Sequence, residues 1–178
     1  MTLRHTVELG FYVAVALLLS YVESLVPLSF GIPGMKLGLP NLVVVLLLYE
    51  KNDTGEAEGQ KVSRQAVRDC ILVNGCRIIL SGFLFGNLYG ILYALAGAAV
   101  SFLAMLAGRK THLFSVIGVS VLGGVFHNIG QIIVAMLVVE TYAVGYYMPA
   151  LIFAGTITGG VLGLLAMELI PYLERHRR

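Results

Sequence analysis

Apolar runs of about twenty residues recur along this chain and exclude most soluble architectures. A helix needs about 20 residues to cross about 30 Å of hydrocarbon. Of the 178 residues, 58% are hydrophobic and only 12% are charged, which is too little charge to cover a soluble domain of this length. The predicted fold class is an all-α integral membrane protein. Residues 1–178 are expected to form a single transmembrane domain without a separate soluble module.

Six transmembrane spans can be counted in this pattern. They are expected at residues 6–27, 37–50, 65–85, 87–107, 115–139 and 148–170. The second span is short, with an apolar stretch only from Asn41 to Tyr49, and the sequence leaves open whether it crosses the bilayer or dips partway. The longest polar segment, at about residues 51–64, is predicted to be a flexible cytoplasmic loop.

The basic residues segregate if six helices alternate in direction. Ten of the twelve Lys and Arg residues then fall on one side, Lys36 stands alone on the other side, and Arg77 lies within the membrane. A count of five or seven spans would break this segregation. The positive-inside rule therefore predicts a multi-pass protein with both termini in the cytoplasm.

Polar residues inside the apolar runs are the strongest functional signal. A charge at mid-membrane costs roughly 2.5 to 3.5 kcal/mol on insertion scales, so Arg77 is expected to face a partner or a wet cavity. Other polar groups lie at similar predicted depth on the first, third and fifth spans and in the loop before the second. The candidate substrate-binding residues are Glu23, Lys36, Asn41, Asn74, Arg77, His127, Asn128 and Gln131.

The charges of this set indicate the kind of ligand. Lys36 and Arg77 carry two positive charges and His127 can carry a third, against one negative charge on Glu23. Such a balance favours an anion, and a planar guanidinium matches carboxylate or phosphate. The apolar surroundings favour a ligand with an apolar part, so an amphipathic anion is expected. In the alternative interpretation Arg77 pairs with Glu23 or with helix carbonyls and braces the bundle, and His127 is a packing residue.

Small residues at every fourth position form a second signal. Gly155, Gly159 and Gly163 follow this spacing in the sixth span. Such spacing lets helix backbones approach closely in lipid. The sequence leaves open whether these glycines pack within the monomer or against another membrane subunit.

Several classes of chemistry are not expected. The chain has no phosphate-binding loop, no H-E-x-x-H zinc motif, no paired-cysteine metal motif and no aspartate-rich magnesium cluster. Cys70 and Cys76 are six residues apart in one predicted helix, so they face different directions and are not expected to form a disulfide. No catalytic residue, metal site or cofactor is therefore predicted, and no nucleic-acid partner, because the basic residues lie at helix ends.

Three segments carry a resemblance to a known family. Segments 32–41, 77–86 and 118–131 resemble the bacterial Gx transporter family, also labelled heptaprenyl diphosphate synthase component I. The likeness covers most of the chain, and its most specific part is the stretch His127-Asn128-x-Gly130-Gln131. Pro40 departs from it, because a small residue such as Ala is expected there. The resemblance places the protein in a bacterial cytoplasmic membrane.

The resemblance also implies a function. The family is similar to the substrate-binding S components of energy-coupling factor transporters, which are six-helix bundles that capture vitamins or related compounds from outside. A separate membrane subunit and two ATPases drive them, and the docking motif of their first helix is approximated here by Gly10, Ala14 and Ala16. The implied function is a substrate-binding subunit of an uptake transporter, with isoprenoid or quinone precursors and vitamin-like compounds as candidate ligands.

Two alternatives stay open at this point. The first is a non-catalytic membrane subunit associated with heptaprenyl diphosphate synthase in isoprenoid-quinone biosynthesis. The second is a stand-alone proton-coupled carrier that uses Glu23 and His127.

Overall fold

The computed structural model describes residues 3–25, 36–49 and 62–176, and these ranges are almost entirely helical. They contain six α-helices and one short 3₁₀ helix: α1 Leu3–Leu25, α2 Asn41–Tyr49, α3 Arg64–Phe85, α4 Leu88–Thr111, α5 Val116–Val139, the 3₁₀ helix Tyr142–Tyr147, and α6 Met148–His176. The predicted all-α bundle is confirmed. Most of the predicted loop at 51–64, and residues 32–35 of the first family segment, lie outside the described residues.

Hydrophobic length marks the chain as a membrane protein. In the described part, four helical stretches are long and apolar enough to cross a bilayer: Leu3–Leu25, Leu88–Thr111, Val116–Val139 and Tyr142–Arg175. The 22 residues of α3 span about 33 Å, enough to cross, although Arg68, Asp69 and Arg77 reduce its apolar character. The nine residues of α2 span about 14 Å, about half of the hydrocarbon, so the second span crosses only together with the non-helical residues before Asn41.

The starts of three helices are set by capping side chains. Ser63, Asn87 and Ser115 accept hydrogen bonds from the backbone N–H groups three residues later and begin α3, α4 and α5. These oxygens satisfy N–H groups that have no partner within the helix. The predicted spans 87–107 and 115–139 therefore begin at the capping residue, one residue before the first helical residue of α4 and of α5.

Helix α2 lies in the interior of the bundle. Every residue from Asn41 to Leu48 is buried, and Val43 and Val45 are completely so. A helix that is apolar on all faces is buried on all sides, which explains its uninterrupted run of Val and Leu. Its last residue, Tyr49, is held by Arg109 of α4, whose guanidinium carbon lies 3.6 Å from the ring centroid. Because α2 is buried, the residues directly before Asn41 lead into the interior of the bundle.

Glycines allow α5 and α6 to pack backbone against backbone. A Cβ added at Gly155 would lie 2.7 Å from the carbonyl oxygen of Gly124, and one at Gly159 would lie 2.7 Å from that of Ser120. A Cβ at Gly163 would lie 2.7 Å from the Cα of Ile117. Packing within the monomer, one of the two interpretations of the glycine spacing in the last span, is therefore correct.

Helix α1 packs along α3 with one face and leaves another face open. His5 Nε2 lies 3.2 Å from Asp69 Oδ1, which joins the first turns of the two helices. Ala16, the third residue of the predicted docking motif, is buried in the core of the isolated chain. Gly10 and Ala14 are exposed and stay candidates for that surface.

The two cysteines do not form a disulfide with each other: Cys70 is buried and Cys76 is exposed, on different faces of α3. The sulfur of Cys70 lies 3.8 Å from the carbonyl oxygen of Val44, so this thiol contributes to the packing of α2 against α3.

Candidate functional site

Arg77 is buried between α1 and α3 and binds neutral partners. Its Nη2 donates to Asn74 Oδ1 at 3.0 Å, and its Nη1 donates to Ser20 Oγ at 3.4 Å. The side chain is 2% exposed, and its Nε–H has no hydrogen-bond partner in the described residues. The guanidinium therefore has one N–H donor, at Nε, that is available to a ligand.

Glu23 lies one turn after Ser20 and on the same face of α1. Its Oε1 accepts hydrogen bonds from the backbone N–H groups of Gly38 and Leu39, at 2.5 Å and 3.2 Å. The carboxylate therefore anchors the segment that leads into α2. These hydrogen bonds do not pair Glu23 directly with Arg77, which was one of the bracing alternatives. The two charges are nevertheless close enough to interact.

Gly38 is the point at which the polar side chains meet. Its φ of +85° lies in the left-handed region that favours glycine. A Cβ at this position would lie 2.9 Å from Asn41 Nδ2 and 2.9 Å from His127 Cδ2. Since the Gly38 N–H also donates to Glu23, polar groups from α1, α2 and α5 surround one backbone position.

Replacing Gly38 with alanine is expected to lower the free energy of unfolding by about 2 kcal/mol. A non-glycine residue in the left-handed region costs about 1 to 2 kcal/mol, and the new methyl group would also displace the imidazole. Thermal unfolding in detergent should show a Tm lower by about 4–8 °C. The control is Gly75→Ala on α3, where an added Cβ meets no atom within 4 Å. Equal Tm values for the two variants would contradict this account of Gly38.

His127 is held in place by Gln131 and by two glycines. The Lys36 N–H donates to Gln131 Oε1 at 3.1 Å, so the Gln131 NH₂ group faces His127 Nε2 at 2.9 Å. An NH₂ group only donates, so His127 Nε2 is the acceptor and the ring proton resides on Nδ1. The ring is neutral in this arrangement and lies between Gly38 and Gly97, where an added Cβ would come within 2.9 Å of it.

Asn128 is directed away from this cluster. Its Nδ2 donates to the carbonyl oxygen of Leu151 at 2.7 Å and lies against Gly155, so it joins α5 to α6. Ser81, one turn after Arg77 on α3, donates to the carbonyl oxygen of Ile78 in its own helix. The structure thus brings the other seven predicted site residues into one region and leaves Asn128 on the opposite flank of α5.

Lys36 contributes the second cation of the site. Its Nζ lies 5.9 Å from the centroid of the Phe85 ring. Burial lowers the pKa of Lys36, the Glu23 carboxylate opposes this effect, and the Arg77 guanidinium adds to it. The ammonium, the carboxylate and the guanidinium are therefore near enough to share one electrostatic environment.

Four buried polar atoms of this region lack a hydrogen-bond partner among the described residues. They are Glu23 Oε2, Asn41 Oδ1, Arg77 Nε and His127 Nδ1. Unpartnered buried groups are uncommon in proteins and call for an explanation such as a bound molecule or water. In the described residues, no group of three or more His, Cys, Asp and Glu side chains could hold a metal ion. The arrangement is suited to binding an organic molecule through hydrogen bonds and charge.

Sequence reasoning missed Ser20, Gly38 and Gly97 as parts of the site. Ser20 could have been found, because it lies three residues before Glu23 and therefore on the same helix face. Gly38 lies in a segment rich in Gly and Pro, which is a weaker sign. Gly97 gives no sign in the sequence, because its contact with His127 depends on how α4 packs against α5.

Comparison with protein families identifies the chain. The family model described as heptaprenyl diphosphate synthase component I matches residues 61–169, more than half of the sequence. The chain belongs to this family. The resemblance to heptaprenyl diphosphate synthase component I drawn from the sequence motifs is thereby confirmed, whereas the similarity to S components stays a prediction.

The family match covers part of the site. It contains Asn74, Arg77, His127 and Gln131 and does not reach the segments that hold Glu23 and the residues before α2. No curated protein and no solved structure matches the chain. The role of this member of the heptaprenyl diphosphate synthase component I family must therefore be argued from its geometry.

Proposed function

We propose that the protein is the substrate-binding membrane subunit of an uptake transporter for a small amphipathic anion. One observation carries the proposal: polar side chains from α1, α3 and α5 and from the start of α2 are buried in one region, with four of their atoms unpartnered among the described residues. The lipid bilayer surrounds the apolar faces of the helices, and the ligand enters from the side opposite the termini. The proposal places both termini in the cytoplasm, as the distribution of basic residues predicts.

The free-energy cost of unpartnered buried polar groups favours a ligand-binding role for this set over a role in bracing the bundle. A residue set that serves packing alone is expected to satisfy its own polar atoms. Leaving one buried donor or acceptor without a partner costs about 1 to 3 kcal/mol. A ligand that supplies the missing partners would recover this free energy, so the cost favours binding.

Energy for uptake would come from outside this chain. The proposed partner is an energy-coupling membrane subunit with two ATPases, because the sequence contains no phosphate-binding loop of its own. The exposed Gly10 and Ala14 of α1 offer a surface on which another helix backbone can approach closely.

A second candidate function is favoured by the family match. The description of the family names a component of heptaprenyl diphosphate synthase. In this alternative the chain is a non-catalytic membrane subunit to which a soluble synthase binds. Affinity purification from membranes distinguishes the two, because the first predicts co-purified ATPases and the second a soluble prenyl synthase.

A ligand screen tests the leading proposal directly. The purified protein in detergent should be stabilised by its ligand by about 2.7 kcal/mol at a hundredfold excess over Kd. For a chain of this size, that corresponds to a Tm increase of roughly 5–11 °C. A library of small anionic metabolites that gives no such increase, together with a co-purified soluble synthase, would favour the second candidate.

A further inference from the structure

We infer that the ligand is a small organic acid that also carries N–H or O–H donors, and that it is not a prenyl diphosphate. This inference rests on the proposed function, since it defines the ligand of the same site. It follows from the chemical types of the polar atoms that are buried without partners.

Two of these atoms are acceptors. Glu23 Oε1 already accepts from two backbone N–H groups, whereas Oε2 is buried and open. Asn41 is oriented by its Nδ2, which donates to the carbonyl oxygen of Gly123 at 3.4 Å, so its Oδ1 is left open. Each of these oxygens requires a donor from the ligand.

The donors of the site have a different requirement. Arg77 Nε–H is buried and open, and the Lys36 ammonium lies within electrostatic range of both Arg77 and Glu23. An N–H or N–H⁺ group takes an oxygen acceptor, and a guanidinium binds carboxylate well. The cations therefore fit the acid group, and Glu23 and Asn41 fit donors on the remainder of the molecule.

The neutral charge of the His127 ring also favours a ligand that carries hydrogen-bond donors. Its Nε2 accepts from the Gln131 amide, so the imidazole is neutral and adds no third positive charge. Its Nδ1–H lies next to Gly97 and is buried without a hydrogen-bond partner among the described residues. The site then holds two cations and one carboxylate. A prenyl diphosphate bears several negative charges and no strong donor. The Glu23 carboxylate would repel its charge, and Glu23 Oε2 and Asn41 Oδ1 would be left without partners.

The test compares acids matched in size that differ in a donor. Indole-3-acetate carries an N–H group, and 1-naphthaleneacetate does not; 4-hydroxyphenylacetate and 4-methylphenylacetate form a second pair. Farnesyl diphosphate represents the prenyl diphosphates. In thermal-shift and calorimetric titrations of the full chain in detergent, the donor-bearing member of each pair is expected to bind at least tenfold tighter than its match. It is also expected to bind tighter than farnesyl diphosphate.

Glu23→Gln is expected to reverse the preference of the site between donor-bearing and donor-free anions. The amide oxygen of Gln can still accept from Gly38 and Leu39, so the fold and the Tm of the free protein should be retained. The Gln NH₂ group replaces the open acceptor with a donor. Binding of the donor-bearing acids should weaken at least tenfold, and binding of the donor-free anions should become tighter. Glu168→Gln, at an exposed position of α6, is the matched control and should change neither.

The outcomes separate the inference from the proposed function. Tighter binding of farnesyl diphosphate or of the donor-free acids would overturn the inference and leave a ligand-binding subunit in place. Unchanged preference in Glu23→Gln would overturn it as well. No binding by any probe would overturn the proposed function together with the inference.

Discussion

Replacing Arg77 with methionine is expected to weaken ligand binding by about thirtyfold or more while changing the Tm of the free protein by only a few degrees. Among the described residues no carboxylate forms an ion pair with the guanidinium, which donates to Ser20 and Asn74, so its removal breaks no direct charge pair there. Methionine fills a similar unbranched volume. Loss of a buried charged hydrogen bond to a ligand costs about 2 to 5 kcal/mol, which gives the expected decrease in affinity. The measurement is the Tm increase produced by the tightest acid of the matched panel.

The control for this prediction is Arg68→Met on the same helix. The Arg68 side chain is largely exposed, and its nearest carboxylate oxygen, on Asp69, is 3.9 Å away. This variant should keep the full ligand-induced Tm increase. If Arg77→Met cannot be purified as a folded protein while Arg68→Met can, the bracing interpretation of Arg77 is correct.

Replacing Gly159 with alanine is expected to destabilise the bundle by about 3 kcal/mol. The new Cβ would lie 2.7 Å from the Ser120 carbonyl oxygen and 2.7 Å from the Val121 Cα. Both are backbone atoms of α5, so no side-chain rotation relieves the contact and the two helices must separate. Thermal unfolding in detergent should show a Tm lower by about 6–12 °C.

The adjacent glycine is a matched control for this second prediction. A Cβ at Gly160 meets no atom within 4 Å. Gly160→Ala should leave the Tm unchanged or raise it slightly, because alanine is favoured over glycine in a helix by about 1 kcal/mol. A Tm decrease in Gly160→Ala as large as that of Gly159→Ala would mean that close approach of α5 and α6 is not what requires glycine here.

The partners of the buried polar groups illustrate the limit of sequence reasoning. The depth of Arg77 and His127 followed from counting residues, because each residue advances a helix by 1.5 Å. The identity of their partners did not follow. Arg77 binds Ser20 and Asn74 where Glu23 was one expected partner, and Glu23 instead holds the backbone of Gly38 and Leu39.

Helix α2 shows a second limit. The sequence indicated a short apolar segment and left its depth open. Its eight buried residues show that it is surrounded by other helices, so a length of about 14 Å suffices for its place in the interior. An apolar run gives the same signal whether it faces lipid or protein, and only the neighbouring helices distinguish the two cases.

By itself the sequence determined that the chain is a helical membrane protein and that its glycines permit close packing, and it predicted that the polar groups lie at similar depth. These properties depend on local composition and on the fixed rise of a helix. Tertiary structure alone decided that His127 faces Gly38 and Gly97, that Asn128 faces α6, and that Glu23 binds the start of α2. Those contacts depend on how each helix is rotated about its axis against its neighbours, and that rotation is set by packing between residues far apart in the chain.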